Sequence, residues 1–140
     1  MPRIFGHDLL AFIAAVIAFY AVGFVIYGLV FNALWMSLAG YSPQDFAGHE
    51  WKIVLGPVMP ILIVTGLAFM LQASRRSNLT GHVSLGFAAW LFFMLPSLMY
   101  GYAYGVNYPL GLLVMDGGHL LAAALIASAI LVWRKVPKAA

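Results

Sequence analysis

Residues 110–133 read LGLLVMDGGHLLAAALIASAILVW, and this stretch decides the fold. A helix needs about 20 predominantly apolar residues to cross the hydrocarbon of a bilayer, and this run supplies them. It contains one acidic residue, Asp116, followed three positions later by His119. A carboxylate at the centre of a membrane helix costs roughly 2.5–3.5 kcal/mol on insertion scales, so a retained one is expected to have a task and a partner. No other long apolar run of the chain carries an acidic residue.

Working outward, three more such runs precede it: Leu9–Leu38, Ile53–Gln72 and Val83–Tyr104, with Leu110–Trp133 as the fourth. The first is too long for an upright crossing and is expected to tilt or to project past the bilayer. Of the 140 residues, 64% are hydrophobic and 8% charged, against about 25% charged in a soluble domain. The fold class that follows is an all-α membrane protein, a bundle of four transmembrane helices forming one domain over residues 1–140. Cysteine is absent, which removes disulfides, thiolate metal sites and cysteine nucleophiles together. The net charge of +3 is small and segregated between the runs, an argument for topology and against a nucleic-acid partner. No cleavable signal peptide is expected, because the first apolar stretch far exceeds an h-region of about 7–15 residues and Ser37-Leu38-Ala39 comes too late to serve as a cleavage site.

With four crossings, the N-terminus, the second loop and the C-terminus share a side. That side holds six of the seven Lys and Arg residues (Arg3, Arg75, Arg76, Arg134, Lys135 and Lys138), leaving Lys52 on the other. The positive-inside rule then places both termini in the cytoplasm. In the first outer loop, Ser42 is a candidate N-cap with Pro43 at the first helical position and Asp45 in the first turn, which predicts a short interfacial helix over Pro43–His49. Trp51 would follow it at headgroup level. The third loop is a tight turn over Gly105–Pro109 set among Tyr100, Tyr102, Tyr104 and Tyr108; these read first as an interfacial aromatic belt and second as a binding rim.

On a continuous fourth helix, Asp116 and His119 share a face. That spacing suits a carboxylate orienting an imidazole, as in proton relays. Two structural alternatives compete: Asp116 clasping a tyrosine or an indole N–H of a neighbouring helix, and Asp116 as an N-cap with the helix opening at Gly117-Gly118. A dry contact to Tyr or Trp would demote the whole site from function to structural packing. Counting depth brings Tyr27, Asn32 and Trp35 of the first run, the Gly56-Pro57 backbone and Pro60 of the second, and Pro96, Ser97 and Tyr100 of the third into the same layer. Pro57, Pro60 and Pro96 would free the carbonyls of Ile53, Gly56 and Phe92, and carbonyls freed at membrane depth call for a donor or a polar cavity. The candidate binding pocket is therefore Asp116, His119, Tyr27, Ser97, Tyr100, Asn32 and Trp35. Gly118-x-x-x-Ala122, Ala123-x-x-x-Ala127 and Ala14-x-x-x-Ala18 are pairs of small residues suited to close helix packing. His7, His49, His82 and His119 lie on separate segments, so no metal site and no cofactor is expected. Serine nucleophile motifs, phosphate loops and dinucleotide fingerprints are missing, and nothing commits the chain to catalysis.

Tyr27-Gly28-x-x-Phe31-x-x-x-Trp35-Met36 followed by Gly40-x-Ser42, together with Met115-Asp116-Gly117-Gly118-His119-Leu120, resembles domain-of-unknown-function family 1761 over essentially the whole chain. Ile26 stands where members of that family often carry a tryptophan. The resemblance implies a bacterial four-helix integral membrane protein, names no reaction, and singles out the same Asp–His pair. The expectation is a small protein of the bacterial cytoplasmic membrane that binds or transports a small ligand or proton through an outward-facing polar pocket. The alternative is an accessory or assembly subunit of a larger membrane complex. A membrane enzyme acting on lipid, with Asp116 and His119 as acid and base, lacks a nucleophile or metal set. The partners expected are the lipid bilayer and either further copies of the chain or a larger complex.

Overall fold

The computed structural model describes residues 2–133; Arg134, Lys135 and Lys138, counted above among the terminal-side cations, lie outside the described residues. The chain opens with a hairpin that the apolar periodicity does not announce. Strands β1 (Arg3–Ile4) and β2 (His7–Asp8) pair antiparallel, Arg3 opposite Asp8. Phe5 and Gly6 turn between them with φ of 46° and 78°, the doubly left-handed geometry of a two-residue hairpin turn. Asp8 then caps α1 (Leu9–Gly23), its carboxylate accepting from the Leu10 N–H at 3.0 Å.

The long first run is not one overlong helix. After Gly23 it widens into π-helical turns over Phe24–Val30 and breaks at Phe31, where φ is −116° and ψ 21°. The Phe31 N–H reaches back to the Ile26 carbonyl at 2.9 Å, five residues away, so the Tyr27 carbonyl loses its regular partner. Asn32 replaces it, its Nδ2 donating to that carbonyl at 2.9 Å. A separate helix, α2 (Asn32–Ala39), follows and stops at Gly40 in the left-handed region. A break at Phe31 thus divides the long run into a first span and a separate short helix.

The expected helix over Pro43–His49 is a single 3₁₀ turn, Pro43–Phe46. Ser42 closes it by donating both its backbone N–H (2.6 Å) and its hydroxyl (2.8 Å) to Asp45 Oδ2, and these bonds hold the Asp45 carboxyl below its usual range. Extended Ala47 and left-handed Gly48 end it early. A second 3₁₀ turn, Glu50–Val54, leads into α3 (Leu55–Ala73). Three kinks at one depth are not what the prolines make. Pro57 sits in the first turn of α3, where no amide donor is required. Pro60 is interior and buried. Pro96 follows π-helical turns over Trp90–Met94, which join α4 (Leu79–Ala89) to α5 (Leu95–Tyr104). There the Leu95 N–H bonds the Trp90 carbonyl, a widened turn that accommodates the proline ring. The last helix, α6 (Leu110–Ile130), runs unbroken through Asp116, which removes the N-cap alternative.

Four helical stretches are long and apolar enough to cross a membrane: Leu9–Val30, Glu50–Ala73, Leu79–Tyr104 and Leu110–Ile130. Helix α6 packs against both α1 and α4, and α3 packs on α1. Gly86 of α4 allows a close approach to α6, since a Cβ there would collide with Ser128 and stand 3.0 Å from the Ala124 carbonyl. The buried core joins Phe12, Ala15 and Phe19 to Val64, Leu67 and Leu71, and to Ala123, Ala127 and Leu131. It therefore lies toward the end of the bundle that carries the hairpin. There His7 and His82, remote in sequence, meet edge to face at 5.5 Å, with Nδ1 of each on a carbonyl at the C-terminal end of α6, that of Leu131 just past the helix (3.0 Å) and that of Ser128 within it (3.1 Å). At the opposite end, the π-helical turns after α1, α2 and α5 bury no residue. Looser packing at that end leaves room for a site.

Candidate functional site

Asp116 is the centre of a clasp. Tyr27 donates its hydroxyl to Oδ1 at 2.5 Å, and Tyr108 donates to Oδ2 at 2.5 Å. Tyr27 is carried by the π-helical turns after α1, and Tyr108 by the loop that enters α6 at Pro109. Two phenols on one carboxylate thus tie the first helix, the last helix and the loop before it. Hydrogen bonds to an ionised acceptor are about twice as strong as neutral ones. Partial burial first, then the bond to Asp116 and its charge, hold the Tyr108 hydroxyl well above its ordinary range. Next to the clasp, Trp90 Nε1 donates to the Gly117 carbonyl at 2.8 Å, fastening the third span to the same turn of α6.

Each carboxylate oxygen accepts from a phenol, and no hydrogen bond joins Asp116 to His119 among the described residues. The imidazole instead turns toward α1 and lies edge-to-face between Tyr27, at 5.1 Å, and Phe19, at 6.2 Å. Gly23, midway between those two aromatics along α1, makes room: a Cβ there would stand 2.9 Å from His119 Nε2. The ring has no hydrogen-bond partner among the described residues, and it lines a cavity of about 480 Å³. Phe19 and Tyr27 form one wall, Gly56, Met59 and Pro60 of α3 the other. Trp35 of α2 closes toward the loops, packed on Tyr27 at 5.8 Å and continued by Tyr41 and Phe46 at 6.0 and 6.1 Å.

Five of the seven candidate residues fall in this neighbourhood. Tyr27, Asn32, Trp35 and His119 line the cavity, and Asp116 stands behind Tyr27. Ser97 and Tyr100 are not brought to it. Ser97 returns its hydroxyl to the Phe93 carbonyl at 2.7 Å, and Tyr100 is 69% exposed and stacks on Tyr104 at 6.1 Å. The π-helical turns at Trp90–Met94 lie before both residues and rotate them off the face that regular helical counting assigns. Four participants escape the reading of the sequence. Tyr108 passes as one of four belt tyrosines, and Trp90 carries no polar neighbour to mark it. Phe19 and Gly23 were not singled out either, although with Tyr27 their spacing of four puts a gap between two aromatics on one helical face. Among the described residues, no three His, Asp or Glu side chains converge.

The sequence model of a family described as "Protein of unknown function (DUF1761)" matches residues 10–132. No curated protein and no solved structure matches the chain.

Proposed function

Because the chain belongs to the DUF1761 family, which assigns it no activity, we propose from its geometry that it is a small-ligand-binding protein of the bacterial cytoplasmic membrane, whose site is the cavity beside His119. The observation that carries this reading is an imidazole without a hydrogen-bond partner among the described residues, facing a cavity of about 480 Å³, within the 300–1,000 Å³ of small-molecule sites. Asp116 then serves as a brace. It holds Tyr27 through Oδ1 and so shapes the wall against which His119 rests. Both termini face the cytoplasm in this reading, supported by the Lys and Arg distribution, and the loop turn over Pro43–Phe46 lies at the outer interface. The whole chain acts as one domain.

Complementation tests it. In a deletion strain held under a condition that exposes the loss, the wild-type chain restores growth, while His119→Ala and the cavity-filling Met59→Trp, expressed at equal levels, do not. Full rescue by both variants overturns the reading. A competing role as an accessory subunit draws on α5, none of whose residues is buried. Purification in mild detergent separates the two: a stoichiometric heterologous partner favours the subunit, and a homo-oligomer that retains ligand counts against it.

A further inference from the structure

We infer that the cavity takes a neutral-headed lipophile from the bilayer, an apolar body bearing a hydroxyl or carbonyl group that hydrogen-bonds His119. This rests on the binding reading above and gives that site its ligand class. The first observation is where the cavity opens. Its deep wall is buried, with Phe19 3% exposed, whereas Tyr20, Phe24 and Met59 at its rim are 43%, 55% and 57% exposed. All three rim residues belong to apolar spans, Leu9–Val30 and Glu50–Ala73, so the mouth between α1 and α3 faces hydrocarbon. Toward the loops, Trp35 with Tyr41 and Phe46 stands across the way from water. A bilayer-dissolved ligand need only slide between two helices.

The second observation is the polarity of the lining. No Lys or Arg is part of it, and His119 lies at the middle of the Leu110–Ile130 span. A phosphate or sulfate head would arrive at mid-membrane depth without a counter-charge, which is prohibitive. A plain hydrocarbon gains nothing either, because lipid tails are as apolar as the cavity wall. Selectivity falls to the hydrogen bond with His119, which a low-dielectric site strengthens. Neutral imidazole carries one donor and one acceptor, so it serves a hydroxyl or a carbonyl equally.

The test is photolabelling of the full-length protein in lipid nanodiscs with a twelve-carbon alcohol bearing a terminal diazirine. The expected result is saturable labelling of peptides around Phe24 and Met59, competed by dodecanol and not by dodecyl phosphate. Met59→Trp removes it. His119→Ala weakens dodecanol competition about tenfold, as loss of one hydrogen bond does. Uncompeted labelling spread over all four spans overturns the inference, as does equal competition by dodecyl phosphate. If labelling is diffuse while His119→Ala and Met59→Trp still fail in complementation, the ligand class falls and the binding site stands. If both variants complement fully, the site falls with it.

Discussion

Replacing Tyr27 and Tyr108 by phenylalanine, singly and together, measures what the Asp116 clasp contributes. Each substitution removes one hydroxyl that donates to the carboxylate at 2.5 Å and leaves the ring in place. A hydrogen bond to a charged group contributes about 1.5–3 kcal/mol, so each single variant should lose about that amount. In either single variant the other phenol still serves the carboxylate. The double variant leaves none, about 9 Å into the span at 1.5 Å per residue from Leu110. An unpartnered carboxylate at depth adds up to the roughly 2.5–3.5 kcal/mol that such a group costs in a membrane helix. The double variant should therefore lose more than the two singles summed, by about 1–3 kcal/mol of coupling. Adding Asp116→Leu to the double variant should recover most of that loss, since removing every polar member of a buried group is far less costly than stranding one. Equilibrium unfolding in mixed micelles, by titration with a denaturing detergent, reads the four variants against the wild type. Additive losses below about 0.5 kcal/mol, or a triple variant no better than the double, would refute the reasoning.

The glycines offer a matched pair. Gly23→Ala puts a Cβ 2.9 Å from His119 Nε2, the far end of a side chain beside the cavity, so the ring should yield and thermal unfolding should show a loss under about 1 kcal/mol; Gly118→Ala on α6 meets nothing within 4 Å and should gain about 0.5–1 kcal/mol from helix propensity. Because Tyr108 is held above its ordinary value of 10.0, its contribution is complete below about pH 10 and is lost as pH rises beyond it. A melting profile from pH 7 to 11 should fall more steeply at the alkaline end for wild type than for Tyr108→Phe. Asp45, held below its ordinary value of 3.8 by Ser42, has the opposite sign: its contribution is present above that value and is lost as pH falls past it. Amide protection factors at Asp45 and Phe46, corrected for the intrinsic exchange rate, should fall below about pH 4, and in Ser42→Gly at neutral pH. Gly86→Ala should separate α4 from α6, costing about 1–3 kcal/mol in the same unfolding assay.

How far the site could be read depends on the kind of contact. Tyr27, Asn32, Trp35, Asp116 and His119 were within reach because depth along a span follows from counting 1.5 Å per residue. Their mutual relations were not. The carboxylate and imidazole share a face at i and i+3, yet they diverge, one taken by two phenols and the other turned onto α1. Ser97 and Tyr100 failed for a local reason, the widened turns at Trp90–Met94 that displace every residue after them. Tyr108 failed for a tertiary one, since its role exists only once the loop folds onto α6.

By itself the sequence determined the four apolar helices. Without water, the backbone must satisfy its own hydrogen bonds, and the length of an apolar run is a local property. It also isolated the one carboxylate among them, because the cost of a buried charge is paid wherever the helix goes. Only the tertiary structure decided that Asp116 accepts from two phenols and that His119 lines a cavity. That outcome rests on the rotation of helices about their axes, on π-helical turns that shift their faces, and on a glycine at position 23 that lets one ring reach across. The rotation belongs to no single segment, and the turns and the glycine matter only through the faces they bring together.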